Sequence, residues 1–155
     1  MKNFISISIT LILSISLALA FPPDKVKTKN FILKTNRALG VSHMVVKKTK
    51  KMDGKLALAV RHERLAKQFY NNGNLERALH HSARSRALAD QIMKDNGAKA
   101  TMDHAFTAEE NSMLAGKPSD AELDTTLDKE LPGELKDADL MNGGLDVDLK
   151  EDGSY

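Results

Sequence analysis

The sequence predicts an all-α protein with a central antiparallel helical hairpin, short flanking helices and a disordered acidic C-terminal tail. Residues 55–71 and 75–94 contain no Gly or Pro and are rich in Ala, Leu, Glu, Lys and Arg, which are strong helix formers. A turn-forming stretch, residues 71–74, separates the two runs, and helices joined by so short a loop pack antiparallel. The chain has 155 residues and no Cys, so packing or a partner must hold it together without disulfides.

The first 20 residues have the features of a secretory signal peptide. Lys2 supplies a positive charge, an apolar run follows over residues 4–19, and Ala18-Leu19-Ala20 forms a small-x-small cleavage site. The run is diluted by Ser and Thr and is short for a membrane span. We therefore expect cleavage after Ala20, a secreted or periplasmic protein of 135 residues, and no transmembrane anchor after cleavage.

Residues 21–54 form a basic segment in which the sequence predicts short helices. A helix that begins near Phe31 is expected to stop near Gly40, and a second one is expected over residues 41–52. Asp53-Gly54 then provides turn chemistry before the hairpin begins.

The hairpin is predicted to span residues 55–98, because apolar residues share one face of each helix at 100° per residue. The first face carries Leu58, His62, Leu65, Ala66 and Phe69, and the second carries Leu75, Ala78, Leu79, Ser82, Ala89 and Met93.

Residues 99–133 are expected to form short acidic helices. Thr107 with Glu110, and Ser119 with Glu122, have the spacing of capping boxes, which mark helix starts. From residue 134 onward, acidic residues, Gly and isolated Leu dominate. Such a composition buries too little apolar surface to stay ordered, so residues 134–155 are predicted to be a disordered acidic tail.

The net charge of +2 conceals two halves of opposite sign. Residues 21–99 contain 18 Lys and Arg against 6 Asp and Glu, whereas residues 100–155 contain 4 against 15. The basic density is greatest at residues 47–51, where Lys47, Lys48, Lys50 and Lys51 could bind an anionic polymer or surface, with the acidic tail as a competitor. No aromatic residue is interleaved to stack bases, so specific nucleic-acid binding is not expected. The same lysines could be protease processing sites or a solvated linker.

Residues 65–78 resemble part of a tetratricopeptide repeat. The matching positions are Leu65, Ala66, Phe69, Gly73 and Ala78. Small residues let two helices approach closely, the aromatic ring fills the space between them, and Gly permits the tight turn. The resemblance extends over residues 62–95, with one copy only, and implies a helix-turn-helix unit that binds a protein or peptide.

Under this interpretation the partner is another protein or a second copy of the chain, and the hairpin's apolar face binds it. The candidate partner-binding residues are Leu58, Leu65, Phe69, Leu79 and Arg86. Arg86 lies on the apolar stripe and is expected to extend past the open end of the hairpin; the alternative is a pair with an acidic residue of the second half.

His62 lies within the apolar face of the first helix. The favoured interpretation is a core histidine hydrogen-bonded to Ser82 or to the backbone, and the alternative is a metal or acid–base site formed with His80. Neither residue belongs to a chelating i, i+4 motif.

No nucleophile elbow, phosphate loop or metalloprotease motif occurs in the chain. The sequence therefore predicts an exported, non-enzymatic helical protein without a cofactor that acts in protein–protein interaction. Binding of an anionic polymer or surface and histidine-based metal binding are the two alternatives.

Overall fold

The computed structural model describes residues 23–143 and 145. Within them the protein is all-α, as predicted, with five α-helices, one 3₁₀ turn and no strand. The helices are α1 (Lys25–Thr49), α2 (Lys55–Asn71), α3 (Leu75–Asp95), α4 (Ala108–Met113) and α5 (Asp120–Glu130), and the 3₁₀ turn is Asp137–Leu140. The predicted signal peptide lies outside the described residues.

The basic N-terminal segment forms one continuous helix instead of the predicted short helices. Asp24 caps α1, because its carboxylate accepts hydrogen bonds from the backbone N–H groups of Val26 and Lys27. Gly40 does not end the helix as expected. A mid-helix Gly costs only about 1 kcal/mol, and the burial of Ile32, Leu39 and Val46 outweighs that cost.

Helices α2 and α3 run antiparallel and pack along their length, with His62 opposite His81 and Glu63 opposite Ser82. The loop between them contains Gly73 at φ 77°, a left-handed conformation that Gly adopts without steric cost.

Helix α1 packs against both α2 and α3, so the molecule is a three-helix bundle with two further short helices on its surface. Apolar residues form one cluster where α1 ends and α2 begins, and a second near the α2–α3 loop. The first cluster includes Leu39, Val46, Leu56, Val60, Leu88 and Ile92, and the second includes Ile32, Leu65, Phe69, Ala78 and Leu127.

Both capping boxes are confirmed. In the first, the Thr107 hydroxyl accepts a hydrogen bond from the backbone N–H of Glu110, and the Glu110 carboxylate accepts one from the backbone N–H of Thr107. Ser119 and Glu122 make the same two hydrogen bonds at the start of α5. Helix α5 buries Leu123 and Leu127 against the bundle.

The predicted disorder from residue 134 does not hold for the described part of that segment. Asp137 caps the start of α2, because its two oxygens accept from the N–H groups of Gly54 and Ala57 at 2.8 and 2.7 Å. Leu140, Met141 and Leu145 are buried in the cluster at that end of the bundle. Residues 144 and 146–155 of the predicted tail lie outside the described residues.

Candidate functional site

The lysines predicted to bind anions lie at the C-terminal end of α1. Lys47 and Lys48 occupy its last turn, where their charge complements the helix dipole, and Lys50 ends the helix in the left-handed conformation at φ 58°. All four side chains of Lys47, Lys48, Lys50 and Lys51 belong to exposed residues. We call this group the lysine end.

Neighbouring elements join the lysine end to the rest of the bundle. The Lys51 ammonium donates to the backbone carbonyl of Asp95 at the end of α3. The Lys55 ammonium, at the start of α2, bridges Asp53 at 2.6 Å and Asp95 at 3.0 Å. The two nearby carboxylates therefore pair with Lys55 and not with the lysines of α1.

The pKa of Asp53 reflects burial and Lys55, with a smaller effect of Lys51 from the lysine end. Burial acts to raise the pKa of its carboxyl, but hydrogen bonds from Lys55 and the charges of Lys55 and Lys51 outweigh it, so the pKa lies below its usual value. Within residues 23–143 no carboxylate forms an ion pair with Lys47, Lys48, Lys50 or Lys51.

Elsewhere in the bundle, acidic residues of the second half pair with the basic residues of the first. The pairs across the two halves are Lys27–Glu109, Lys34–Glu110, Arg37–Asp103, Arg61–Asp128, Arg77–Glu130, Arg84–Asp120, Arg84–Asp124 and Arg86–Glu110. Among the described residues, carboxylates of the second half thus pair with basic residues along the bundle, and none of them pairs with the lysine end.

The predicted partner-binding face is inside the protein. Leu65, Phe69 and Leu79 are buried, and Leu58 is half-buried against both apolar clusters. Helices α1 and α5 cover this face. The prediction that these side chains contact a partner is therefore wrong for the folded chain, since the protein's own helices occupy the surface.

Arg86 does not extend past the end of the hairpin as expected. It is fully buried, donates to Glu110 Oε1 and the carbonyl of Phe31 at 2.8 Å each, and to Thr35 Oγ1 at 3.0 Å. Its guanidinium also lies 4.0 Å from the ring centre of Phe31. The alternative interpretation, a pair with an acid of the second half, is the one that the structure shows.

His62 is a core histidine, but its partners are not Ser82 or the backbone. Its Nε2 lies 2.9 Å from Asp124 Oδ1, and its Nδ1 lies 3.0 Å from Nδ1 of His81. Burial acts to raise the pKa of Asp124, but hydrogen bonds from Arg84 and His62 outweigh it and lower this pKa, so the carboxylate is ionised and accepts a hydrogen bond from His62 Nε2–H. We therefore assign His81 Nδ1 as the donor to His62 Nδ1.

Burial favours the neutral form of both rings. It lowers the pKa of His62 to about 4, although the hydrogen bond to Asp124 opposes this shift. It lowers the pKa of His81 to about 3, and the nearby charges of His62 and Arg77 act in the same direction.

The alternative interpretation, a metal or acid–base site of His62 with His80, does not match the contacts of His62, because Asp124 and His81 lie at its two ring nitrogens. His80 is buried separately, and its Nε2 has no hydrogen-bond partner among the described residues. In the same part of the chain, no group of three or more His, Asp or Glu side chains is arranged to hold a metal ion.

Glu63 is fully buried between α2 and α3. Burial raises the pKa of its carboxyl to about 7, against the opposing effects of Lys67, Ser82 and Arg86. The Ser82 hydroxyl donates to Glu63 Oε1 at 3.3 Å and also lies 3.0 Å from Thr35 Oγ1. This carboxyl therefore belongs to a buried polar layer through the middle of the bundle.

Sequence reasoning did not identify the acidic residues that complete these contacts. Asp120, Asp124 and Asp128 recur every fourth residue, so they form one stripe of α5, and each pairs with the bundle. That spacing was the available signal, and it indicates a helix face that meets basic residues.

Comparison with protein-family models, with curated proteins and with solved structures finds no match to this chain. Of the helices in residues 23–143, none has the combination of length and apolar character that a bilayer crossing requires.

Proposed function

We propose that this protein is an exported, non-enzymatic helical protein that binds an anionic polymer or surface through its lysine end. One observation carries the proposal. Acidic residues of the second half neutralise basic residues along the bundle, while the four exposed lysines of residues 47–51 have no carboxylate partner among the described residues.

The architecture supports the same interpretation. Contacts of Lys51 and Lys55 with Asp95 join the ends of α1 and α3 to the start of α2, so the backbone that carries the lysines is held in place by the bundle. An ordered array of positive charges loses less conformational entropy on binding than a flexible one.

We interpret α2 and α3 as a single tetratricopeptide-like hairpin that serves as a scaffold. Its apolar face, which would meet a peptide or a neighbouring repeat in an array, is filled here by α1 and α5. Protein binding through that face is therefore not part of the proposal.

The test is the salt dependence of binding to heparin, used as a model polyanion, by the chain without residues 1–20. We expect the affinity to fall steeply with salt, because binding releases condensed counterions. Lys47→Gln/Lys48→Gln should lower the affinity and reduce the slope of log K against log salt by about one per lysine.

The matched control is Lys25→Gln/Lys29→Gln, which removes the same charge from the opposite end of α1. It should leave most of the affinity in place. Equal losses in the two variants would show that only net charge matters, and salt-independent binding would show that the contact is not ionic. Either result contradicts the proposal.

A further inference from the structure

The lysine end also carries exposed apolar side chains. Four large apolar residues are exposed among those that the structure describes, and two of them, Met44 and Met52, border the lysines. Met44 is 63% exposed and Met52 is 42% exposed. An exposed apolar side chain is ordinary when it stands alone, so the significance lies in what surrounds these two.

The two methionines flank the lysines along the chain. On α1, Lys47 and Lys48 follow Met44 by three and four residues and therefore lie beside it on the same flank of the helix. Met52 follows Lys51 directly in the loop before α2. This end of the bundle therefore carries both exposed positive charges and two exposed, flexible, apolar side chains.

This combination distinguishes between two classes of anionic partner. A sulfated or phosphorylated polymer offers charge to the lysines but little apolar surface to the methionines. An anionic bilayer offers both, because its phosphate groups lie directly above the boundary of the acyl chains. Methionine is suited to such a boundary, since its unbranched side chain adapts to irregular apolar surroundings.

We propose that the lysine end docks on the surface of an anionic bilayer, with the lysines on lipid phosphates and Met44 and Met52 in the headgroup–acyl boundary. This inference rests on the proposed function and names its partner. The bundle would remain at the surface, with the end of α1 and the following loop facing the lipid.

The contributions of the lysines and of the methionines to membrane binding can be separated by their dependence on salt. A lysine near an anionic membrane surface strengthens binding about fivefold at low salt, and this effect is screened as salt rises. The methionine contribution arises from removal of apolar surface from water, which salt does not screen. Residual binding at high salt is therefore the signature of the methionines.

The experiment is co-sedimentation of the chain without residues 1–20 with two kinds of vesicle. One contains equal parts of phosphatidylglycerol and phosphatidylcholine, and the other contains phosphatidylcholine alone. We expect binding to the first only. Met44→Ser/Met52→Ser should weaken that binding about tenfold and remove the residual binding at high salt.

The matched control is Val26→Ser, which removes an apolar side chain that is 66% exposed at the opposite end of α1. It should bind vesicles like the unaltered protein. Since all three substituted residues are exposed, thermal unfolding of each variant should match that of the parent, and any loss of binding then reports the surface.

Heparin binding by the same proteins separates the two levels of the proposal. If the methionine variant binds vesicles as well as the parent does, or if the parent binds heparin but not anionic vesicles, the bilayer inference is wrong and the proposed function stands. If the parent binds neither heparin nor vesicles, both fail.

Discussion

At the scale of single residues, Glu63 places a carboxyl group in the middle of the bundle, where an apolar side chain is usual. It is fully buried, and its Oε2 has no hydrogen-bond partner among the described residues. A buried carboxylate is costly unless it is paired, so the neutral form is favoured and the pKa rises to about 7. Folding therefore opposes ionisation of this group.

Substitution of Glu63 by Gln should stabilise the protein in alkaline solution. The pKa in the folded state lies above the ordinary value of 4.5. Below about pH 4.5 the carboxyl is neutral in the folded and the unfolded state, so its burial does not lower the free energy of unfolding. As pH rises through 7 the free energy of unfolding falls, because the unfolded state releases this proton more readily than the folded state. We expect Glu63→Gln to raise the free energy of unfolding by about 2–3 kcal/mol at pH 8 and to change it little near pH 5. Urea titration measures both values.

The matched control is Glu76→Gln, an exposed residue of α3, which should change stability by less than about 0.5 kcal/mol at either pH. A loss of stability in Glu63→Gln at pH 8 would contradict this account, because it would mean that the ionised carboxylate is well paired, with Lys67 the cation whose charge favours ionisation most.

His62 has the opposite dependence on pH. Its pKa of about 4 in the folded state lies below the ordinary value of 6.5. Above pH 6.5 the ring is neutral in the folded and the unfolded state, and its contribution to the free energy of unfolding is complete. As pH falls towards 4 this contribution is lost, because the unfolded state binds the proton more readily. We expect the free energy of unfolding to decline over this range and the decline to be shallower in His62→Gln by about 2–3 kcal/mol in total. Equal declines in the two proteins would show that this ring is not buried in its neutral form.

The sequence identified His62 as a core residue but not its partners. The apolar face of α2 was readable from local spacing. The partner Asp124 is 62 residues away and reaches His62 only because α5 docks on the hairpin, which depends on packing rather than on local pattern. The partner of Arg86 was missed for the same reason, since Glu110 belongs to a different helix.

At the scale of helices, the ion pair between Arg86 and Glu110 fixes α4 to the bundle. Three elements meet there, because Arg86 of α3 also donates to Thr35 and to the carbonyl of Phe31 in α1, and Lys34 lies 3.1 Å from Glu110. Removal of one partner of a buried pair leaves an uncompensated charge, so it destabilises the protein more than removal of both partners does.

This predicts a strongly non-additive mutant cycle. Arg86→Met should lower the free energy of unfolding by about 3–5 kcal/mol, as should Glu110→Met, and the double variant should lose less than the sum of the two. Denaturant unfolding of the four proteins gives the coupling energy. Additive losses would show that the two groups do not stabilise each other.

The two capping boxes and the bounds of α2 and α3 were readable because they depend on residues close in sequence. The length of α1 was not, because Gly40 is a local stop signal that contacts with α2 and α3 override. The docking of residues 137–143 and 145 was also missed, since a short acidic segment gains its order from the backbone groups of Gly54 and Ala57 that Asp137 caps.

At the scale of the whole molecule, the two sequence halves of opposite charge meet in ion pairs along the bundle. The asymmetry between residues 21–99 and 100–155 was evident from composition alone. Which lysines remain uncompensated was not evident, because that depends on how α4, α5 and the loops between them lie across the bundle. Among the described residues, the lysine end is the densest group of basic residues that has no ion pair with those acidic elements.

The most direct test of this account is a backbone NMR titration of the ¹⁵N-labelled chain without residues 1–20 with a short heparin fragment. We predict that chemical-shift changes concentrate in residues 44–55 and at the end of α3, near Asp95, while α5 and the first turns of α1 remain unchanged. Changes centred on α5 or on residues 25–37, or no change with excess ligand at low salt, would contradict the claim that the lysine end is the binding surface.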